Sequence, residues 1–425
     1  MPASPPPTDR AGHAEDRAHA AYLAAPDPRP RIVVVGSGWH FLSGISYYTC
    51  RLSNALRDRY EVGAVLMRRL LPARLYPGRE RVGHRLADLT YTDGVRVFDG
   101  IDWWALPSLW RAVRFLRGFR PDALVLQWWT GAVLHSYLVL VFAARRLGIR
   151  VIVEFHEVQD TGEARHRWAA RYVRRCIRPL LNRTDGVVVH SRFDLAALDQ
   201  AYRLGDLPSE VALHGPFDHH LPERPVRAAG DDVCRLLFFG TIRPYKGLED
   251  LVSAFADLGP QYHLTVVGET WEGWTEPGTM IEESPVRDRI VFVNRYVSDT
   301  EVNEFFAEAD VVVLPYRRSS ASGPLHIAMS HGLPVVVTAV GGLVEAAEHY
   351  SGTVFVPAGE PGELREGIVR AAGLSGRRHA DPSSWERTVD AYARLLARLG
   401  IAGQDREVST TSSNQTEPLL SPDLR

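Results

Sequence analysis

The residues best placed to do chemistry are two cations in one short turn, Phe239-Gly240-Thr241-Ile242-Arg243-Pro244-Tyr245-Lys246-Gly247-Leu248, and Lys246 is the only lysine in the 425 residues. A compact, strongly hydrated ammonium on a flexible stem is not interchangeable with a planar guanidinium. The exception therefore marks a position where a point charge is wanted. Residues 235–239 form a continuous apolar run, Gly240 and Pro244 punctuate the turn, and Leu248, Leu251, Val252 and Phe255 recur at helical spacing. The turn is thus expected at the carboxyl end of a buried strand, where open α/β sheets bind ligands. Arg243 and Lys246 suit a phosphate or diphosphate there; a surface turn with solvated charges is the rival reading.

A second stretch has the chemistry of an anion site, Tyr316-Arg317-Arg318-Ser319-Ser320-Ala321-Ser322-Gly323-Pro324-Leu325-His326. Ser322 or Gly323 would cap a short helix closed by Gly332, with Pro324 at an early position where its missing N–H costs nothing. Backbone N–H groups and the positive end of the helix dipole favour an anion, and the first turn holds no acid. With Arg243 and Lys246 this helix start could enclose a pyrophosphate. A well-capped structural helix with no ligand is the rival reading.

These loops need two α/β domains to position them, since a chain of this length exceeds one ordinary core. In the amino-terminal domain, 31–221, strands are expected at 31–35, 62–66, 123–127, 151–154 and 186–189. Helices are expected at 45–56, 106–116, 132–147, 164–181 and 193–202. The first strand ends in Gly36-Ser37-Gly38, and its turn continues to Ser43-Gly44. After a polar linker at 222–232, the carboxyl-terminal domain, 233–375, repeats the theme with strands at 235–239, 263–267, 290–293, 311–314, 335–338 and 352–356. A last helical segment occupies 376–402. Near-continuous Val/Ile/Leu strands alternating with helices argue for doubly wound parallel sheets, Rossmann-like in both domains and facing a cleft.

Composition narrows the function classes. A net charge of −2 argues against a nucleic-acid binder with a basic face. Cys50, Cys176 and Cys234 lack metal or redox spacing and fit a reducing, cytoplasmic compartment. Residues 1–30 read as a disordered arm without a signal-peptide core, and 403–425 as a disordered tail. The best apolar run, 132–144, is broken by His135 and falls short of the roughly 20 residues of a membrane span.

Taken in order, Gly240 to Gly247, the runs 263–268 and 290–297, Ala309-Asp310-Val311 leading to Pro315, Ala328-Met329-Ser330-His331-Gly332-Leu333-Pro334-Val335-Val336, and Gly341-Gly342-Leu343-Val344-Glu345 resemble glycosyltransferase family 4. The resemblance covers essentially all of the carboxyl-terminal domain and is looser before it. It implies the GT-B fold, a sugar-nucleotide donor used without metal or other cofactor, and retention of anomeric configuration. By the same resemblance Arg243 and Lys246 hold the donor diphosphate, and Glu345 and the backbone near Tyr296 lie around the nucleotide. Gly240, Gly268, Ser322, Gly323, Pro324 and Leu325 complete the expected donor site. In the amino-terminal domain Ser43-Gly44 would be the glycine loop under the phosphate, and His156 of Phe155-His156-Glu157 would sit beside the donor sugar. The chain departs from the family where members commonly carry two glutamates eight residues apart: Ser319 and Ile327 stand there.

Rival readings turn on specific residues. Gly36-x-Gly38 hints at dinucleotide binding, but Phe41 occupies the third glycine position and no acid ends the second strand near Leu66-Met67. No Asp-x-Asp motif follows a strand, against a metal-dependent GT-A transferase. A GT-B sugar-nucleotide epimerase and a non-catalytic transferase-like subunit remain as alternatives. Acceptor contacts are less legible: Trp103-Trp104 and Trp128-Trp129 could stack on sugar or lipid, or pack in the core. Residues 165–183 carry seven arginines and no acid, interleaved with Trp168, Tyr172, Ile177 and Leu180. That segment reads either as an amphipathic helix meeting anionic lipid at the inner membrane face or as a solvated surface.

Overall fold

The computed structural model describes residues 29–40, 44–69, 89–102, 105–157, 167–217, 233–271 and 273–401. The expected linker and tail lie outside these residues, as do residues 1–28 of the expected arm and Ser43, Trp103 and Trp104. The apolar runs form parallel strands because both faces of each are covered. In the amino-terminal domain β1 (Arg31–Ser37), β2 (Glu61–Arg69), β3 (Arg96–Asp102), β4 (Ala123–Trp128), β5 (Arg150–Phe155), β6 (Gly186–Val189) and β7 (Ser209–Val211) make one sheet in the order β3-β2-β1-β4-β5-β6-β7. Its helices are α1 (Gly44–Leu56), α2 (Leu106–Phe119), α3 (Leu134–Arg146), α4 (Arg167–Leu181) and α5 (Arg192–Tyr202).

The carboxyl-terminal sheet holds β8 (Cys234–Phe239), β9 (Tyr262–Val267), β10 (Ile290–Val293), β11 (Val311–Leu314), β12 (Val335–Thr338) and β13 (Thr353–Val356), in the order β10-β9-β8-β11-β12-β13. With it come α6 (Leu248–Ala256), α7 (Glu276–Glu282), α8 (Asp299–Glu308), α9 (Gly323–Ser330), α10 (Gly342–Ala347), α11 (Pro361–Ala372) and α12 (Trp385–Arg398). In each sheet the strand order reverses beside the first strand, at β1/β4 and at β8/β11, which opens a crevice beyond the strand ends.

Two strands escaped the sequence pattern. β3 is an edge strand whose run Arg-Val-Phe-Asp-Gly-Ile-Asp is half-covered and pairs with β2 through register shifts. β7 is a three-residue edge carrying Glu210. The last helix, expected after the second domain, packs on the first. Val389, Tyr392, Leu395 and Leu396 of α12 share one core with Ile32, Val34, Val125, Ile152 and Val188. Arg59 with Asp390 at 2.6 Å and Arg394 with Glu210 at 2.6 Å pin it at the rim. The opposite face of that sheet is covered by α2, α3 and α4 through Leu109, Leu116, Leu140, Val141, Val173 and Ile177. No helix among the described residues is long and apolar enough to cross a membrane.

Candidate functional site

The loops after β8 and β11 meet at the carboxyl-terminal switch point. Gly247 adopts a left-handed conformation (φ 63°) and lies so close to β11 that a Cβ there would stand 2.0 Å from the Pro315 carbonyl oxygen. The Arg317 N–H donates to the Tyr245 carbonyl at 2.8 Å and joins the two loops. Lys246 is buried between them, its Nζ 3.6 Å from the centre of the Tyr316 ring and 5.1 Å from that of Tyr245. This counts against the rival reading of a surface turn with solvated charges: the lysine is sheltered and held over aromatic faces. Burial pulls the ammonium below its usual range, the Tyr245 and Glu157 side chains oppose that, and Arg243 adds to it. Glu157 belongs to the other domain, so the two domains face each other across Lys246. Arg243 is half-buried with its guanidinium 4.8 Å over the Trp271 ring. Arg317 is committed to Glu249 at 2.7 Å and Asp250 at 3.0 Å, which leaves the positive character of this floor to Arg243, Lys246 and Arg318.

The start of α9 stands beside this turn. Ser322 caps the helix in extended conformation, its Oγ accepting from the Leu325 N–H at 3.3 Å. Pro324 has no N–H, so the donors the first turn can offer an anion narrow to Gly323. A Cβ at Gly323 would meet open space, and one at Gly240 would lie 3.6 Å from Pro324 Cγ, which shows how close the end of β8 and the start of α9 are. Gly268 ends β9 with no room for a side chain, 1.8 Å separating its notional Cβ from the Gly240 carbonyl oxygen. Gly240, Arg243, Lys246, Gly268, Ser322, Gly323 and Pro324 are therefore brought together, and Leu325 is core beneath them.

Other expected residues have partners of their own. The Tyr296 carbonyl beyond β10 accepts from the Arg295 guanidinium at 3.1 Å. The Glu345 carboxylate reaches across to the other domain and caps α5, accepting from the backbone N–H of Arg192 and of Phe193, each at 2.9 Å. Gly44 opens α1 beside Phe217.

His156 is turned inward. It is buried, with Nδ1 3.0 Å from His190 Nε2, while His190 Nδ1 lies 2.9 Å from the Ala212 carbonyl. A carbonyl can only accept, so His190 carries its proton on Nδ1 and its Nε2 accepts from the Nδ1–H of His156. Burial and the neighbouring His156 hold His190 down to about 4, neutral at pH 7. His156 Nε2 points at Glu154 Oε2, 3.7 Å away and too far for a hydrogen bond. Glu154 is fully buried, yet it accepts from the Tyr48 hydroxyl at 2.6 Å and the Gln127 amide at 3.0 Å. Burial pushes its carboxyl up, but His156, His190 and Tyr48 outweigh burial and hold it near 2. Sequence reasoning missed Glu154 and Gln127, which are register partners on β5 and β4. The available signal was a lone acid inside the apolar run Val-Ile-Val-Glu-Phe.

Glu154, His156 and His190 bring metal-ligating types within 4.8 Å of one another. The residues do not suit an ion, because the His190 Nε2 lone pair is already taken by His156. The cluster reads as a buried proton-sharing network below the cleft. Above it a column of rings crosses between the domains: Tyr48 lies 4.3 Å from His214, which stacks at 4.6 Å on His326 of α9. Ser330 Oγ accepts from the Phe217 N–H at 3.0 Å and donates to Asp381 at 2.9 Å, closing the seam where the chain passes between the domains.

Comparison with known proteins agrees with this architecture. Residues 43–206 match the family model described as Glycosyl transferase 4-like domain, and 234–373 match Glycosyl transferases group 1. With both domains so matched, the chain belongs to the GT-B glycosyltransferases of the family 4 type. It is 31% identical over 209 residues to D-inositol 3-phosphate glycosyltransferase of Geodermatophilus obscurus, covering 44% of this chain and 46% of that one. It is 34% identical over 177 residues to GDP-mannose:glycolipid 4-beta-D-mannosyltransferase of Xanthomonas campestris, covering 40% of this chain and 50% of that one. The match thus spans about half the length of these curated relatives. Among solved structures, sucrose-phosphate synthase from Thermosynechococcus elongatus superposes with a TM-score of 0.62 at 19% identity, over 88% of this chain and 98% of that one. Anabaena Alr3699/HepE in complex with UDP gives 0.57 at 18% identity, over 87% and 95%. At these identities the two structures speak to the fold.

Proposed function

We propose that the protein transfers a sugar from a nucleoside-diphosphate donor to a hydroxyl of a glycan, lipid or small-molecule acceptor, with retention and without a metal. The observation that carries this reading is the convergence of Arg243, Lys246 and the Gly323 helix start at one switch point. As the bond from anomeric carbon to phosphate oxygen breaks, the diphosphate leaves with the electron pair, and charge grows where these groups are aimed. The acceptor oxygen bonds the anomeric carbon and its proton passes to the departing phosphate. Fixed cations and an N–H donor supply the electrostatic stabilisation that carboxylate-bound metal supplies elsewhere. A nucleotide-sugar donor accords with a relative named for GDP-mannose and a structural neighbour crystallised with UDP. Lys246 and Arg243 are assigned to the diphosphate. With His156 turned inward, Glu157, whose charge acts on Lys246 across the cleft, is assigned to the donor side.

Ser319 and Ile327, in place of paired glutamates, support a second reading, a transferase-like subunit that binds nucleotide without turnover. A thermal-shift screen against UDP, GDP, ADP and dTDP, followed by the matching nucleotide sugars, tests both. The expected outcome is a shift with at least one nucleotide, lost in Arg243→Ala, and release of that nucleotide with a product whose anomeric configuration is read by NMR. Binding without turnover favours the subunit reading, epimerised donor favours an epimerase, and no shift with any nucleotide overturns the site.

A further inference from the structure

Charge is nearly balanced over the whole chain, 49 Lys and Arg against 51 Asp and Glu, but it is not evenly spread. The three helices that cover one face of the amino-terminal sheet, α2, α3 and α4, contain three, two and five arginines respectively, and none contains an aspartate or glutamate. The apolar stripe of α4 is spent on the protein, with Val173, Ile177 and Leu180 buried in the core, while Arg171, Arg174, Arg175 and Arg178 are exposed. What α4 presents outward is therefore its charged face. The exposed apolar groups come from its neighbours: Leu106 is 73% exposed, Trp110 59% and Phe142 40%, and Tyr172 of α4 stands out beside the arginines. Trp110 lies 5.4 Å under the Arg114 guanidinium, and Phe142 lies 4.4 Å under that of Arg183. At the rim Asp185 takes Arg145 at 2.9 Å and Arg150 at 3.1 Å.

We propose that the outward face of α2, α3 and α4 docks on a bilayer bearing anionic lipid headgroups. The face is complementary in charge to such a surface along three adjacent helices. Its large exposed side chains are of the kind that settle at the boundary between headgroups and acyl chains. Leu106 and Phe142 have no task on a nucleic acid read by phosphate contacts and stacking alone. In a parallel sheet each helix begins where its strand ends, so the first turns of α2, α3 and α4 lie at the cleft edge of the domain. Docking there sets the mouth of the cleft beside the headgroups.

Sedimentation of the full chain with phosphatidylcholine vesicles and with vesicles also containing phosphatidylglycerol needs no sugar donor, so it stands or falls apart from the transfer reaction. The protein is expected on the anionic vesicles alone and to be released as salt rises, because the attraction is screened. Arg174→Gln with Arg178→Gln should lower the partition about five-fold per arginine removed. Trp110→Ala should lower it too, leaving the salt dependence in place. All three side chains are exposed, so matching melting curves will confirm the fold. Equal partition onto both vesicles, none onto either, or tight RNA binding lost in the same arginine variants would overturn the proposal.

Discussion

At the scale of single residues, the difference between Lys246 and Arg243 is one of burial. Arg243 is half-buried and stacked, so Arg243→Ala should leave the melting temperature near the wild-type value while transfer falls about 10²–10³-fold, the usual cost of one donor aimed at developing charge. Lys246 is buried, and its stem fills space between Tyr245 and Tyr316. Lys246→Met keeps that volume and removes a desolvated charge. Its stability should match or exceed the wild type, since replacing a buried ion by an apolar group of similar size is often neutral or better. Its kcat/KM should fall by the same 10²–10³-fold. A Lys246→Met protein with wild-type kcat/KM would show that the ammonium is structural.

At the scale of elements, the decisive one is the start of α9. Gly323 has open space where a side chain would go, so Gly323→Asp should fold, while placing a carboxylate where a phosphate oxygen belongs. Nucleotide binding measured by calorimetry should collapse. Ile327→Val, one turn on and half-buried, should cost only about 0.5–1.5 kcal/mol of stability and barely move affinity, because neither side chain can hydrogen-bond a ribose. Unchanged binding in folded Gly323→Asp would mean that α9 is merely capped by Ser322 and that the phosphates lie elsewhere.

At the scale of the whole molecule, the buried histidines make stability depend on pH. Burial holds His190 down to about 4, His326 to about 3 and His214 well below the ordinary range, whereas each takes up its proton near 6.5 once unfolded. Below 6.5 the unfolded chain binds more protons than the folded one, so stability falls as pH drops, by about 1.4 kcal/mol per pH unit for each group. Glu154, held near 2, adds a further loss below its unfolded value of about 4.3. Urea midpoints should be flat from pH 7 to 8 and decline from pH 6.5 toward 4. His326→Phe, which keeps a ring against His214, should make that decline shallower by about one proton. A midpoint that is level down to pH 5 would contradict the burial of these rings.

The sequence by itself determined the two parallel sheets, the Arg-Pro-Tyr-Lys turn and the Ser-Gly-Pro helix start. Each is written in local signals: an unbroken apolar run, a turn residue, a cap, or a cation three residues from another. The edge strands β3 and β7 were illegible for the same reason, since half-covered, polar strands carry no such period. Only the tertiary structure decided where side chains went once their strands had neighbours. His156 stands at the strand end as its motif required, but the pairing of β5 with β6 sets His190 beside it and turns it inward. Lys246 reads as a solvated cation until β11 brings Tyr316 beneath it, and the two N–H groups of α5 that Glu345 meets at 2.9 Å come from the other domain. In each case the partner lies tens of residues or more away in the chain. The energy of burying a charge depends on that partner, which no local pattern encodes.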